Sequence, residues 1–317
     1  MSRSPRSRSV VTTFLLSLLL VACEESGSTG PEPPGPTPAA PDTVAPVVLS
    51  SYPHDSTAFT QGLLFDNGIL LESTGRRGFS TVRRVDPQTG AIQSQRALAD
   101  RYFAEGLTLH NGELVQLTWT SGKAFRYDPA TLALLDSFSY GGQGWGLTSD
   151  GTRFIMSDGS STITFRDDAF QPIGSIAVTL DGNPVRNLNE LEYARGRIYA
   201  NVWFRDSIVE IDPADGRVTR VIDCSALVAA EQPRAGEAVL NGIAWRADTE
   251  TFYLTGKWWR TVFAVQIPTD STASTMATMM LRSGAERSDT IWRAELPSST
   301  TRTVSPAPAP TASMAIR

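Results

Sequence analysis

A short segment recurs five times through the middle of the chain: Gln61-Gly62-Leu63-Leu64, Glu105-Gly106-Leu107-Thr108, Trp145-Gly146-Leu147-Thr148, Asn189-Glu190-Leu191-Glu192 and Asn241-Gly242-Ile243-Ala244. The second positions of these copies lie 44, 40, 44 and 52 residues apart. Self-similarity at that interval marks repeated supersecondary units, none of which can bury its apolar face alone. Most copies run into a turn and a second apolar stretch, through Asp66-Asn67-Gly68, His110-Asn111-Gly112, Asp150-Gly151 and Arg195-Gly196. That is hairpin chemistry. Asp86-Pro87, Asp128-Pro129 and Asp212-Pro213 then end a further strand. No segment of this body carries a long, capped 3.6-residue periodicity, so helices are minor. Five strand-rich units of this size predict an all-β fold, a five-bladed β-propeller, over residues 46–268.

The flanks have another composition. Residues 1–22 hold Arg3, Arg6 and Arg8, no acid, and an apolar run from Val10 to Leu20, the pattern of a secretory signal. Leu20-Val21-Ala22-Cys23 resembles a bacterial lipobox. Cleavage before Cys23 and lipidation of its sulfur would tether the protein to a membrane that it does not span. An ordinary secretory signal is the other reading. Glu24, rather than Asp, favours the outer membrane, so the expectation is an exported lipoprotein facing the periplasm. Residues 23–45 then form a Gly-, Ser-, Thr- and Pro-rich linker that cannot bury a core. Residues 269–317, with the Pro-Ala run at 306–310, read as a low-complexity, disordered tail.

Charge and cysteine usage narrow the function. The chain carries −5, and loss of the three signal arginines takes it to −8, which argues against a nucleic-acid partner. With Cys23 lipidated, Cys224 stands alone and no intramolecular disulfide can form. Two histidines, His54 and His110, and one cysteine offer no zinc-finger spacing and make a His-rich catalytic zinc site unexpected. No G-x-S-x-G nucleophile elbow occurs. A propeller closes its own edges, so a monomer is the default.

Innermost propeller strands converge on a central channel, and their ends should face one mouth. The repeat positions there, Gln61, Glu105, Trp145, Asn189 and Asn241, are mostly polar and all but two differ, whereas a purely structural repeat would reuse one small or apolar residue. A second ring follows about a dozen residues later: Glu72, Trp119, Ser157 with Asp158, Trp203 and Lys257. Glu105, an isolated carboxylate near Phe103 and Trp119, is either a general acid/base with a raised pKa or an acid bonded to a blade turn. Lys257 either donates to a developing oxyanion or caps a strand. Asn189 and Gln61 are amide donors to a carbonyl or partners of backbone groups. Trp119, Trp145 and Trp203 line a pocket or pack between blades. Phe59 and Phe103 read as core or pocket wall, Glu190 and Glu192 as structural or catalytic, and Asp158 as a turn residue.

Taken in order, Tyr52-Pro53-His54-Asp55, Ala58-Phe59-Thr60-Gln61-Gly62, Glu72-Ser73-Thr74-Gly75, Tyr102-Phe103-Ala104-Glu105-Gly106, Leu117-Thr118-Trp119, Gly144-Trp145-Gly146, Leu188-Asn189-Glu190, Asn201-Val202-Trp203, Leu240-Asn241-Gly242 and Thr255-Gly256-Lys257 resemble the plant and bacterial type of glutaminyl-peptide cyclotransferase. The likeness runs from about residue 51 to 267, and that family is built on a five-bladed propeller. It implies an acyl transfer: an N-terminal Gln of a peptide or protein closes to pyroglutamate and ammonia leaves, without a catalytic metal. The resemblance makes Glu105 the proton carrier, gives Lys257 and Asn189 the polarisation of the carboxamide, and makes Gln61 a substrate-contacting amide. Phe59, Phe103, Trp119, Trp145 and Trp203 would wall the substrate pocket. No cofactor is required, and a structural Ca²⁺ in the channel is left open. Ala104, Gln143 and Arg260 depart from the family pattern, at the rim rather than the centre. The competing reading is a non-catalytic, surface-anchored propeller that binds peptides or sugars, since one fold serves both roles.

Overall fold

A computed structural model describes residues 41–234 and 236–269. The signal segment, Cys23, most of the linker and the tail lie outside the described residues. Alternating short apolar strands and two-residue turns build five antiparallel four-stranded sheets. Blade 1 covers 60–97, blade 2 104–139, blade 3 147–177 and blade 4 188–223. Blade 5 takes three strands from 240–266 and its outermost strand, Val47–Pro53, from the other end of the body. That strand pairs antiparallel with Thr261–Gln266 and closes the ring. The five-bladed β-propeller is therefore as the repeats predict. Asp42–Val44, at the end of the expected linker, runs parallel to Val218–Asp223 and covers the edge of blade 4. One short helix, Ser225–Glu231, precedes blade 5.

The repeat explains itself in the packing. The innermost strands Thr60–Asp66, Ala104–His110, Leu147–Ser149, Leu188–Ala194 and Leu240–Arg246 pass one another around the axis. At Gly146 a Cβ would lie 2.0 Å from the Asn189 carbonyl oxygen, and at Gly62 2.6 Å from the Leu107 nitrogen, so only glycine allows the strands so close. Blade 4 carries Glu190 at that position. Its buried carboxyl accepts from the Leu63 N–H of blade 1, across the axis, at 3.2 Å and from the Ile243 N–H of blade 5 at 2.9 Å.

Ring closure is secured by a buried polar cluster. His54 Nε2 meets Glu72 Oε1 at 2.9 Å, Thr60 Oγ1 donates to the same oxygen at 2.7 Å, and His54 Nδ1 lies 2.8 Å from the Trp259 carbonyl. Arg83 sits 3.6 Å from Glu72 and 2.8 Å from Asp55. The cluster joins the closing strand's end to blades 1 and 5. It also settles Glu72, which the sequence placed in the second ring facing the mouth: Glu72 serves the closure and does not line the cavity.

Candidate active site

Four of the five repeat copies begin in a register break. The ladder slips between Thr60 and Gly62, Ala104 and Leu107, Leu188 and Leu191, and Leu240 and Ile243. A bulge bends its strand and re-aims the residue it contains; here those residues are Gln61, Glu105, Asn189 and Asn241. Three of them, with Trp145 from blade 3, meet in a cavity of about 220 Å³ at the axial mouth. Its walls are Phe59, Gln61, Phe103, Glu105, Trp119, Trp145, Asn189, Trp203, Glu237 and Lys257. Glu105, Lys257, Asn189, Gln61 and the five expected aromatic residues are thus brought to one place, whereas Asn241, Glu72, Ser157 and Asp158 of the two rings are not on the wall.

The aromatic wall is continuous. Phe59 meets Phe103 edge-on at 6.1 Å, Phe103 meets Trp119 at 5.8 Å, and Trp145 meets Trp203 at 5.5 Å. Gln143 clamps two of these rings, its Oε1 accepting from the Trp119 indole at 2.7 Å and the Trp145 indole at 3.0 Å. The Lys257 ammonium lies over the Phe59 ring at 4.8 Å and the Trp203 ring at 5.8 Å, a cation–π setting that suits a cation with few water partners.

Glu105 is 5% exposed, and no group among the described residues donates a hydrogen bond to its carboxyl. Burial pushes its pKa well above the usual carboxylate range, and the Lys257 charge offsets this in part. Burial conversely lowers Lys257, against the attraction of Glu105 and Glu237. Both groups are therefore drawn toward their neutral forms, and a proton can shift between them and a substrate at little cost. The Glu105 backbone is fixed by Ser73, whose hydroxyl donates to its carbonyl at 2.5 Å and accepts from Gln116 at 2.8 Å.

The amides divide by role. Asn241 donates to the Thr60 carbonyl at 2.9 Å and to Gln61 Oε1 at 3.2 Å. It is absent from the cavity wall and instead turns the Gln61 amide so that its nitrogen is left for a ligand. Asn189 Oδ1 and Trp203 Nε1 are buried with no hydrogen-bond partner. Both belong to residues of the cavity wall. Ser157, from the second ring, bonds backbone instead: it donates to the Asn189 carbonyl and accepts from the Gly146 N–H, each at 2.7 Å. Asp158 accepts from the Ser160 N–H at 3.0 Å, the turn role expected. Glu190 and Glu192 stay below the cavity, both held up in pKa by burial.

Sequence reasoning missed Glu237, an exposed rim residue of an irregular loop with no repeat to flag it, and the positioning role of Asn241. Among the described residues no group of three or more His, Cys, Asp or Glu is set to hold a metal ion.

An aromatic, acid-bearing cavity at the axial mouth defines a five-bladed propeller with an enzyme-like site. The chain belongs to the glutamine cyclotransferase family, whose model matches residues 15–267. It is 39% identical over 232 residues to glutaminyl-peptide cyclotransferase of Arabidopsis thaliana, covering 72% of each chain. It is likewise 39% identical to the crystal structure of Myxococcus xanthus glutaminyl cyclase, with a TM-score of 0.68 over 71% of this chain and 97% of that one.

Proposed function

We propose that the cavity cyclises the N-terminal glutamine of peptides or proteins to pyroglutamate, with Glu105 as the proton carrier and no metal ion. The observation that carries this reading is the Glu105 carboxyl, buried and unpartnered beside Lys257 in an aromatic cavity of about 220 Å³, room enough for one glutaminyl residue.

The substrate's α-amine must attack its own side-chain carboxamide carbon, so the walls have to hold the side chain curled. That proximity supplies much of the acceleration. A new N–C bond forms, the carbonyl oxygen takes on negative charge, and the C–NH₂ bond then breaks. Amide anion is too basic to leave, so the proton lost by the attacking amine must reach the departing nitrogen. In its ionised form Glu105 takes that proton; in its protonated form it delivers it, and ammonia departs. Lys257 and the Gln61 amide nitrogen stabilise the developing oxyanion. The carboxamide NH₂ donates to Asn189 Oδ1, and the Trp203 indole donates to a substrate carbonyl, pairing two groups that have no partner among the described residues. The aromatic wall keeps water from intercepting the acyl carbon.

The donor chemistry of the cavity supports a metal-free reaction, since its ionisable lining is Glu105, Glu237 and Lys257 alone. The family and the sequence together support catalysis over a purely binding role: Glu105, Lys257 and Asn189 are all retained. The test is ammonia release and loss of ammonia from the mass of a Gln-initiated peptide, with chelator present. Turnover that resists the chelator supports the reading; turnover that requires an added metal ion contradicts it. The lipobox-like segment supports export and anchoring at Cys23.

A further inference from the structure

The cavity has a neighbour that the cyclisation chemistry leaves unused. Phe59, a wall of the cavity, packs on Trp258 with ring centroids 4.6 Å apart. Trp258 also lines a separate cleft with Ser56, Thr57, Arg76 and Arg234. The Arg76 guanidinium stands 5.5 Å from the Trp258 ring centroid and 5.6 Å from that of Phe79, which is 72% exposed. Arg83, the other arginine nearby, is already engaged by Asp55 at 2.8 Å. Arg76 and Arg234 have no carboxylate partner among the described residues.

Two guanidiniums without a carboxylate partner, one of them held against aromatic faces, stand beside the Ser56 hydroxyl; the Thr57 hydroxyl is already given to Asp55 at 2.7 Å, whose charge Arg83 balances at 2.8 Å. Stacking occupies the face of a guanidinium and leaves its N–H edge free for bidentate bonds. The backbone is bent at the cleft: Arg76 has φ +92° and Trp258 φ +59°, the left-handed region that side chains other than glycine enter at a cost. The separation fits a peptide. The Phe59 ring and the Arg76 guanidinium both lie on Trp258, at 4.6 and 5.5 Å, a span that an extended chain at about 3.3–3.6 Å per residue covers with one or two residues and the reach of a side chain.

We propose that Arg76 and Arg234 form a specificity subsite for an acidic side chain at the second position of the substrate, a conclusion that rests on the cyclisation reading above. Glu or Asp after the N-terminal Gln places its carboxylate over the cleft; Lys there meets two like charges.

The test compares kcat/KM for the amidated peptides Gln-Glu-Ala-Ala, Gln-Ala-Ala-Ala and Gln-Lys-Ala-Ala. The measurement is made on the wild type and on the Arg76→Gln/Arg234→Gln double variant, at low and high salt. Two partly exposed charge contacts predict a preference of roughly fivefold to thirtyfold for Gln-Glu over Gln-Ala, with Gln-Lys slowest. That preference shrinks in high salt and falls to near unity in the double variant. Equal rates for the Gln-Glu and Gln-Ala peptides in the wild type, or a preference that survives in the double variant, overturns the subsite while leaving cyclisation intact. No ammonia from any of the three peptides overturns the cyclisation reading, and the subsite with it.

Discussion

Replacing Glu72 by Gln removes the anion at the centre of the ring closure. The wild-type carboxylate faces His54 at 2.9 Å, the Thr60 hydroxyl at 2.7 Å and Arg83 at 3.6 Å, and both His54 and Glu72 side chains are at most 4% exposed. Breaking a buried ion pair from one side costs about 3–5 kcal/mol, because the other charge stays buried without its partner. A body of this size loses about 2–4 °C of Tm per kcal/mol, so the melting point should fall by roughly 6–20 °C. The pH dependence is the sharper test. Glu72, together with the backbone and Asp55, holds the His54 pKa above its ordinary 6.5 despite desolvation. A group whose folded pKa is raised contributes fully below its unfolded pKa and loses that contribution as pH climbs through the folded value. Glu72 is held below 4.5 by His54, Arg83 and Thr60, so its contribution is present above 4.5 and lost as pH falls through its depressed folded pKa. The stability gap between wild type and Glu72→Gln should therefore be widest at about pH 5–6 and narrow on both sides, while titrating groups distant from the pair cancel in the difference. Chemical denaturation at several pH values measures that gap. A gap under about 1 kcal/mol, typical of an exposed pair, or one that does not change with pH, would refute the buried-pair argument.

Three further outcomes follow from the site and the sequence. Asn241→Ala strands the buried Thr60 carbonyl and frees the Gln61 amide; it should cost about 1–3 kcal/mol and raise KM more than it lowers kcat, measured by denaturation and steady-state kinetics. Gly146→Ala puts a Cβ 2.0 Å from the Asn189 carbonyl oxygen; an overpacking cost of about 3 kcal/mol should accompany loss of turnover, and normal stability with full activity would contradict the close strand approach. Cys23→Ser should move the protein from the membrane to the soluble fraction and abolish labelling by radioactive palmitate in a bacterial host.

The fold was legible because its signal is local and repeated. Most copies pair a polar residue with Gly and an apolar strand, and the tight passage at Gly62 and Gly146 is what forces the glycine there. The cavity was legible for the same reason: bulges at equivalent places in four blades deliver Gln61, Glu105, Asn189 and Asn241 to one end of the axis. What escaped depends on contacts distant in sequence. The closing strand Val47–Pro53 belongs to a blade that begins near residue 240, so no repeat announces it. Glu72 and Lys257 occupy equivalent places in their blades, yet Glu72 turns to His54 and Lys257 to the cavity. Asn241 shares the polar ring with Gln61, and only their 3.2 Å hydrogen bond tells the positioning residue from the one it positions.

The central claim is that one buried carboxyl carries the proton. The full-length protein, purified in mild detergent, is given a Gln-initiated peptide in the presence of chelator, and ammonia release is followed for wild type and Glu105→Gln. Gln keeps the size of the side chain and removes its proton transfer, so kcat should fall by about 10²–10⁴. The variant should stay at least as stable at neutral pH, since burial penalises the ionised carboxyl. Turnover undiminished in a folded Glu105→Gln protein would contradict the account.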